Sequence, residues 1–260
     1  MSDVEVRDEN AVRWIALDRP QSKNGLTDEV NKQIIDALDG AARERAIRCV
    51  VLTGKGGSFC SGLDLKSAAA NAGGFDNLEG HMREYFHGLI RAVRRVPKPV
   101  IALVDGAAVG FGCDLALACD LRIGTERARF GEVFVKRGLM PDGGGSFTLP
   151  RLVGVAKALE LMFTGDLIDA AEAQKIGIVN RIIPSAEAEA QTRAFAERLA
   201  AGPPLVHAWI KRAVYAGLES SFDAALENEV KGQMQLLKSK DFFEGVAAFF
   251  QKREPKFTGE

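Results

Sequence analysis

Two short apolar runs, residues 49–53 and 100–104, each empty into a glycine-rich loop, and the second loop opens a further apolar segment. An unbroken apolar run of that length is covered on both faces, which is the situation of a parallel strand between helical layers. Residues 121–124 begin a third such unit. A strand, a glycine loop and a helix repeated in this order define an α/β chain whose loops follow strand ends. The flanks fit the same scheme. Residues 11–18 read as a strand stopped by Pro20 and the turn pair Asn24-Gly25. Thr27 caps a helix with Asp28 and Glu29 in its first turn and Val30, Ile34, Ile35 and Leu38 as its apolar stripe. Residues 81–96 are helical up to Pro97, and a helix is expected from about Cys113 to Cys119. Beyond Asp169, a natural N-cap, the periodicity is helical over 170–176, 185–201, 203–217, 221–237 and 241–252.

Charge excludes several partners. The chain has 34 Lys and Arg against 35 Asp and Glu, so no global field favours nucleic acid or an acidic membrane. Residues 100–119 are apolar and long enough for a membrane span, but Asp105, Asp114 and interior glycines make a buried strand, turn and helix the better reading. The N-terminus shows no basic segment followed by an apolar run. The four cysteines, Cys49, Cys60, Cys113 and Cys119, form no C-x-x-C pair and read as reduced core thiols of a cytoplasmic protein. His81, His87 and His207 have no ligand spacing, so neither a metal nor another cofactor is expected. Phe242, Phe243, Phe249 and Phe250 are more aromatic surface than one helix can cover, which points to a subunit interface.

Three loops carry candidate chemistry: Phe59-Cys60-Ser61-Gly62-Leu63-Asp64-Leu65, the stretch from Asp105 to Leu115, and the stretch from Gly138 to Gly145. Glycines let a backbone approach a ligand closely, and a helix N-terminus favours negative charge. Gly110-x-Gly112 lacks the third glycine of a dinucleotide fingerprint, no G-K-[ST] follows any loop, and Thr148 stands where a nucleophile elbow needs glycine.

Taken together the motifs resemble the crotonase superfamily, the enoyl-CoA hydratases and isomerases. The resemblance runs from Asp18-Arg19-Pro20 and Asn24 through F-C-S-G-L-D-L, D-G-A-A-V-G-F-G-C-D-L, A-R-F-G-E and G-L-M-P-D-G-G-G to the closing F-T-G. It implies a spiral of repeated ββα units, with a core over 1–200 and a C-terminal helical region over 201–260 that forms trimers or hexamers. The implied ligand is an acyl-CoA thioester, with coenzyme A part of the substrate. The N–H groups of Ser61 and Phe111 are the implied oxyanion hole, although the family commonly has glycine where Phe111 stands. Gly62, Leu63, Asp64, Gly110, Phe134, Lys256 and Phe257 are the implied CoA- and substrate-binding residues.

Hydratases of the family carry two glutamates; the first position here holds Asp114 and the second holds Phe134, which can neither accept nor donate a proton. Asp142 stands where several double-bond isomerases carry their acid/base, and the surrounding sequence looks like 1,2-epoxyphenylacetyl-CoA and Δ3,Δ2-enoyl-CoA isomerases. Isomerisation needs only one carboxylate that removes a proton and returns it elsewhere. Pro141-Asp142-Gly143 is also an ordinary turn sequence, and Asp114 an ordinary helix-start residue. The expected activity is therefore enoyl-CoA isomerisation with Asp142 as acid/base. Alternatives are a hydratase using Asp114, a catalytically silent acyl-CoA binder, and a hydrolase with Asp142 as nucleophile.

Overall fold

The computed structural model describes residues 2–64 and 78–260, so that Leu65 at the end of the first loop lies outside the described residues. Its main sheet has six strands in the order β1 (Val4–Glu9), β2 (Val12–Leu17), β3 (Cys49–Gly54), β5 (Val100–Val104), β7 (Leu121–Thr125) and β10 (Arg181–Ile183). β1 and β2 pair antiparallel; every other pairing in this sheet is parallel.

The unbroken apolar runs have the predicted cause. On β3, Val50 and Leu52 join the core cluster containing Val30, Ile34 and Leu38 of helix α1 (Asp28–Arg43). The alternate residues, Cys49 and Val51, face Ala188, Ala196 and Ala200 of α8 (Ala188–Ala200) on the other side. Strand β5 divides in the same way. Each large side chain buried in these layers contributes roughly 1.5–3 kcal/mol. Thr27 accepts the Val30 N–H and Asp169 accepts the Glu172 N–H, so both expected caps form.

After each central strand the chain makes a short strand in a second sheet, ordered β4 (Ser58–Cys60), β6 (Ala107–Val109), β8 (Arg129–Gly131) and β9 (Ile168–Asp169). A helix then follows β4 and β6: α2 (Leu78–His81) leads through a π-helical turn, Met82–Phe86, into α3 (His87–Arg95), and α4 spans Phe111–Ala118. This is the ββα spiral implied by the resemblance. Three features were not legible beforehand. Strand β1 has a weak apolar pattern, the second-sheet strands are too short to show a period, and the helix expected over 81–96 is interrupted by the π turn. The helix expected from Cys113 begins at Phe111, because Gly110, at φ 55°, turns the chain directly into it.

Helices α5 (Gly145–Val153), α6 (Val155–Thr164) and α7 (Ala170–Lys175) precede β10. The chain ends in α9 (Pro204–Gly217), α10 (Phe222–Leu236) and α11 (Lys240–Gln251). Phe222, Phe249 and Phe250 are each 78% exposed on these last helices. Among the described residues no helix is long and apolar enough to cross a membrane.

Candidate active site

Asn24, buried and held at φ 59°, anchors the first loop: its amide donates to the carbonyls of Lys55 and Ser58, and its oxygen accepts from Arg19 N–H. This fixes where β4 releases the chain. The loop then crosses the second one backbone to backbone. A Cβ on Gly62 would lie 2.9 Å from the Val109 carbonyl oxygen and 3.2 Å from Phe111 N, and one on Gly112 would run into the Cys60 carbonyl. Glycine is required at both crossings for that reason.

The crossing decides which N–H groups are available. Ser61 N–H donates to the Lys23 carbonyl at 3.0 Å, and Leu26 exchanges bonds with Gly62 and Asp64. The N–H of Leu63, between them, has no acceptor among the described residues, and neither does that of Phe111. The donor expected of Ser61 is thus engaged, and Leu63 carries the free one; a β-bridge alternates its N–H directions, which spacing alone does not reveal. Phe111 has no positive φ, so the side chain at this position costs no backbone strain. Its ring packs on Phe86 with centroids 5.5 Å apart. Asp64 is held by Arg19 at 3.1 Å.

Asp114, in the first turn of α4, is 1% exposed. Its Oδ2 accepts the Gly143 N–H at 2.8 Å, and its Oδ1 meets no donor among the described residues. A Cβ on Gly143 would lie 2.6 Å from Asp114 Cβ and 2.9 Å from the Phe111 ring. The third loop is therefore seated directly on the second, and this seating sets Asp142 beside Asp114. Asp142 is partly buried, its Oδ1 meets no donor among the described residues, and burial raises its proton affinity; its own N–H and nearby His87 oppose the rise. Phe134 is buried in the short 3₁₀ segment Val133–Arg137.

One residue escaped the sequence reading. Glu132, immediately after β8, is 2% exposed, and neither carboxyl oxygen has a fixed donor among the described residues. A Cβ on Gly145 would strike Asp114 Oδ1 and lie 3.1 Å from Glu132 Oε1, so the two carboxyls face one point. Burial pushes Glu132 up to about 7, with the neighbouring Cys113 and Asp114 side chains pulling it back and the charge of Asp142 adding to the rise. Burial, and next the charge of Glu132, raise Asp114 strongly. The available signal was a lone acid inside the apolar run from Phe130 to Val135.

Lys256 and Phe257 do not join this group within one chain. Arg48 donates to the Phe257 carbonyl at 2.9 Å, at the entry to β3, whereas the site loops follow the other end of the strands. Lys256 N–H donates to Glu244. The four cysteines are buried and free; burial pushes the Cys60 thiol up to about 12, which removes it as a nucleophile. A separate apolar cavity of about 490 Å³ lies behind α9, bounded by Leu117, Leu199 and Val214, and contains none of the carboxylates above.

A ββα spiral with two glycine loops presenting free N–H groups beside buried carboxyls defines the enoyl-CoA hydratase/isomerase class, and this chain belongs to that family. The sequence model of the family, Enoyl-CoA hydratase/isomerase, matches residues 7–260. The chain is 42% identical over 245 residues to a protein of Rhodobacter capsulatus named probable enoyl-CoA hydratase, covering 94% of this chain and 93% of that one. It is 34% identical over 253 residues to the 1,2-epoxyphenylacetyl-CoA isomerase of Escherichia coli, covering 97% of each. The crystal structure of an enoyl-CoA hydratase from Bacillus anthracis superposes with a TM-score of 0.94 at 33% identity over the whole of both chains.

Proposed function

We propose that the protein isomerises an enoyl-CoA, shifting its double bond with Asp142 as the acid/base. The observation that carries this reading is the partly buried Asp142 carboxyl, with one oxygen free of donors among the described residues and a proton affinity raised by burial. A carboxylate so placed is matched to taking a proton near neutral pH and giving it back. The thioester oxygen would accept from Leu63 N–H and Phe111 N–H, taking the place assigned above to Ser61 and Phe111. The α- or γ-proton passes to Asp142, charge collects on the enolate oxygen between the two donors, and Asp142 returns the proton at the other carbon. Each such donor is worth ~3 kcal/mol in the transition state. Phe134 supplies an apolar wall where a hydratase would hold water. The exposed aromatic faces of α10 and α11 support a trimeric or hexameric assembly. In such an assembly Lys256 and Phe257 serve the CoA of a neighbouring copy, because their own site lies at the far end of the strands.

A second reading, hydration with a water held between Asp114 and Asp142, is favoured by the seating of Gly143 on Asp114, which draws these carboxyls together. One experiment separates the two. The enzyme is incubated with 3-enoyl-CoA and 2-enoyl-CoA in deuterated water, and products are analysed by chromatography and mass spectrometry. Interconversion of the enoyl-CoAs supports isomerisation; accumulation of 3-hydroxyacyl-CoA without interconversion overturns it in favour of hydration.

A further inference from the structure

We infer that Glu132 and Asp114 form one proton-sharing carboxyl pair beneath Asp142, a positioning unit that carries a single negative charge while the enzyme turns over. The inference rests on Asp142 being the acid/base of the proposed reaction.

The geometry leaves few alternatives. Glu132 enters from the end of β8 and Asp114 from the first turn of α4, and both are buried. A donor-free oxygen of each lies within 3.1 Å of the position that a Cβ on Gly145 would occupy. The groups that act on the two carboxyls are each other, Asp142 from the loop before α5, the Gly143 N–H and the Cys113 thiol; no Lys or Arg is among them. His87, from α3, acts on Asp142. Two buried negative charges facing each other, with no cation beside them among the described residues, are strongly disfavoured, and a retained proton removes that repulsion.

A hydrogen-bond census reaches the same answer. Within the site, Asp114 Oδ1, Glu132 Oε1, Glu132 Oε2 and Asp142 Oδ1 are the buried oxygens without a partner among the described residues. One proton between Asp114 and Glu132 satisfies two of them, and the Cys113 thiol can donate to a third. The pair itself needs no bridging water or ion. Burial is also the leading cause that raises both carboxyls, Glu132 to about 7 and Asp114 well above the usual carboxylate range, which agrees with the geometry.

The pair acts through Asp142. The charge of Asp142 raises the proton affinity of both partners, and the interaction is reciprocal. Once the pair loses its second proton, its single charge makes Asp142 a stronger base. Asp114 Oδ2 simultaneously holds Gly143, the residue next to Asp142, in place. A shape-filling role for Glu132 would predict none of this coupling.

The test is an infrared titration of protonated carboxyl groups in the unliganded protein. The wild type is expected to show a band that loses half its intensity through pH about 7 and keeps the rest into the alkaline range. Glu132→Gln should lose the step near neutral pH and titrate its remaining band at lower pH; Asp142→Asn should retain both parts. A wild type with no carboxyl band at neutral pH overturns the inference, even if no variant folds. So does an alkaline part whose midpoint is unmoved in Glu132→Gln. In turnover, kcat/KM of the wild type should rise through pH about 7, and Glu132→Gln should abolish that rise and lower the alkaline plateau by up to about tenfold with KM unchanged. The infrared result does not depend on turnover. Infrared success without enoyl-CoA isomerisation would therefore refute the proposed function alone.

Discussion

The N–H of Gly143 donates to Oδ2 of Asp114 at 2.8 Å, and this one bond ties the loop bearing Asp142 to the helix that presents Phe111 N–H. The proposed proton-moving group and one proposed oxyanion donor are thus held by the same contact, and the consequences are open to measurement.

Asp142→Asn is expected to retain thioester binding while kcat falls by roughly 10²–10⁴, the usual contribution of general acid–base catalysis. Asp114→Asn should cost less, since its carboxyl is committed to Gly143 and Glu132. Steady-state kinetics with an enoyl-CoA reads the ordering; a dead Asp114→Asn beside a near-normal Asp142→Asn would sink the isomerase assignment.

Stability should register the buried carboxyls. The folded-state value of Glu132 is raised from 4.5 to about 7, so the unfolded chain releases this proton first as pH rises. The stabilisation from keeping the group neutral is complete below pH 4.5 and is lost as pH rises to about 7, on the order of 3 kcal/mol. Glu132→Gln removes that dependence. The melting temperature of the variant minus that of wild type should therefore increase with pH across this window, measured by calorimetry at matched ionic strength. A flat difference would show that Glu132 titrates as an ordinary glutamate.

Gly145→Ala tests the packing around the pair. Gly145 has no positive φ, so the backbone tolerates alanine, but the new Cβ would strike Asp114 Oδ1. We expect a loss of about 1–3 kcal/mol in denaturant unfolding and a kcat reduced along with it. Gly138→Ala is the control for position: it has open space but φ 68°, so strain there would leave Asp114 untouched.

The assembly prediction concerns Phe222, Phe249 and Phe250, each 78% exposed. Size-exclusion chromatography with light scattering should give a trimer or hexamer, and the double substitution Phe249→Asp with Phe250→Asp should lower that mass. A wild-type monomer at micromolar concentration would refute it.

What the sequence alone determined follows from local rules. Continuous apolar runs set the doubly covered strands, Thr27 and Asp169 set helix starts, and the terminal helices followed from their periodicity, with boundaries shifted by a residue or a few. Asp114 and Asp142 were legible because acids stand out in glycine-rich loops. The tertiary structure alone decided three things. It showed that Ser61 N–H is engaged by Lys23, 38 positions earlier in the chain, which leaves Leu63 free. It brought Glu132 against Asp114, a contact between the end of β8 and the first turn of α4 that carries no periodic signature in the chain. It also put Lys256 and Phe257 at the opposite end of the strands from the loops. Hydrophobic periodicity reports which face of an element is buried; which N–H is left unpaired, and which two charges share a proton, depend on contacts between elements distant in the chain.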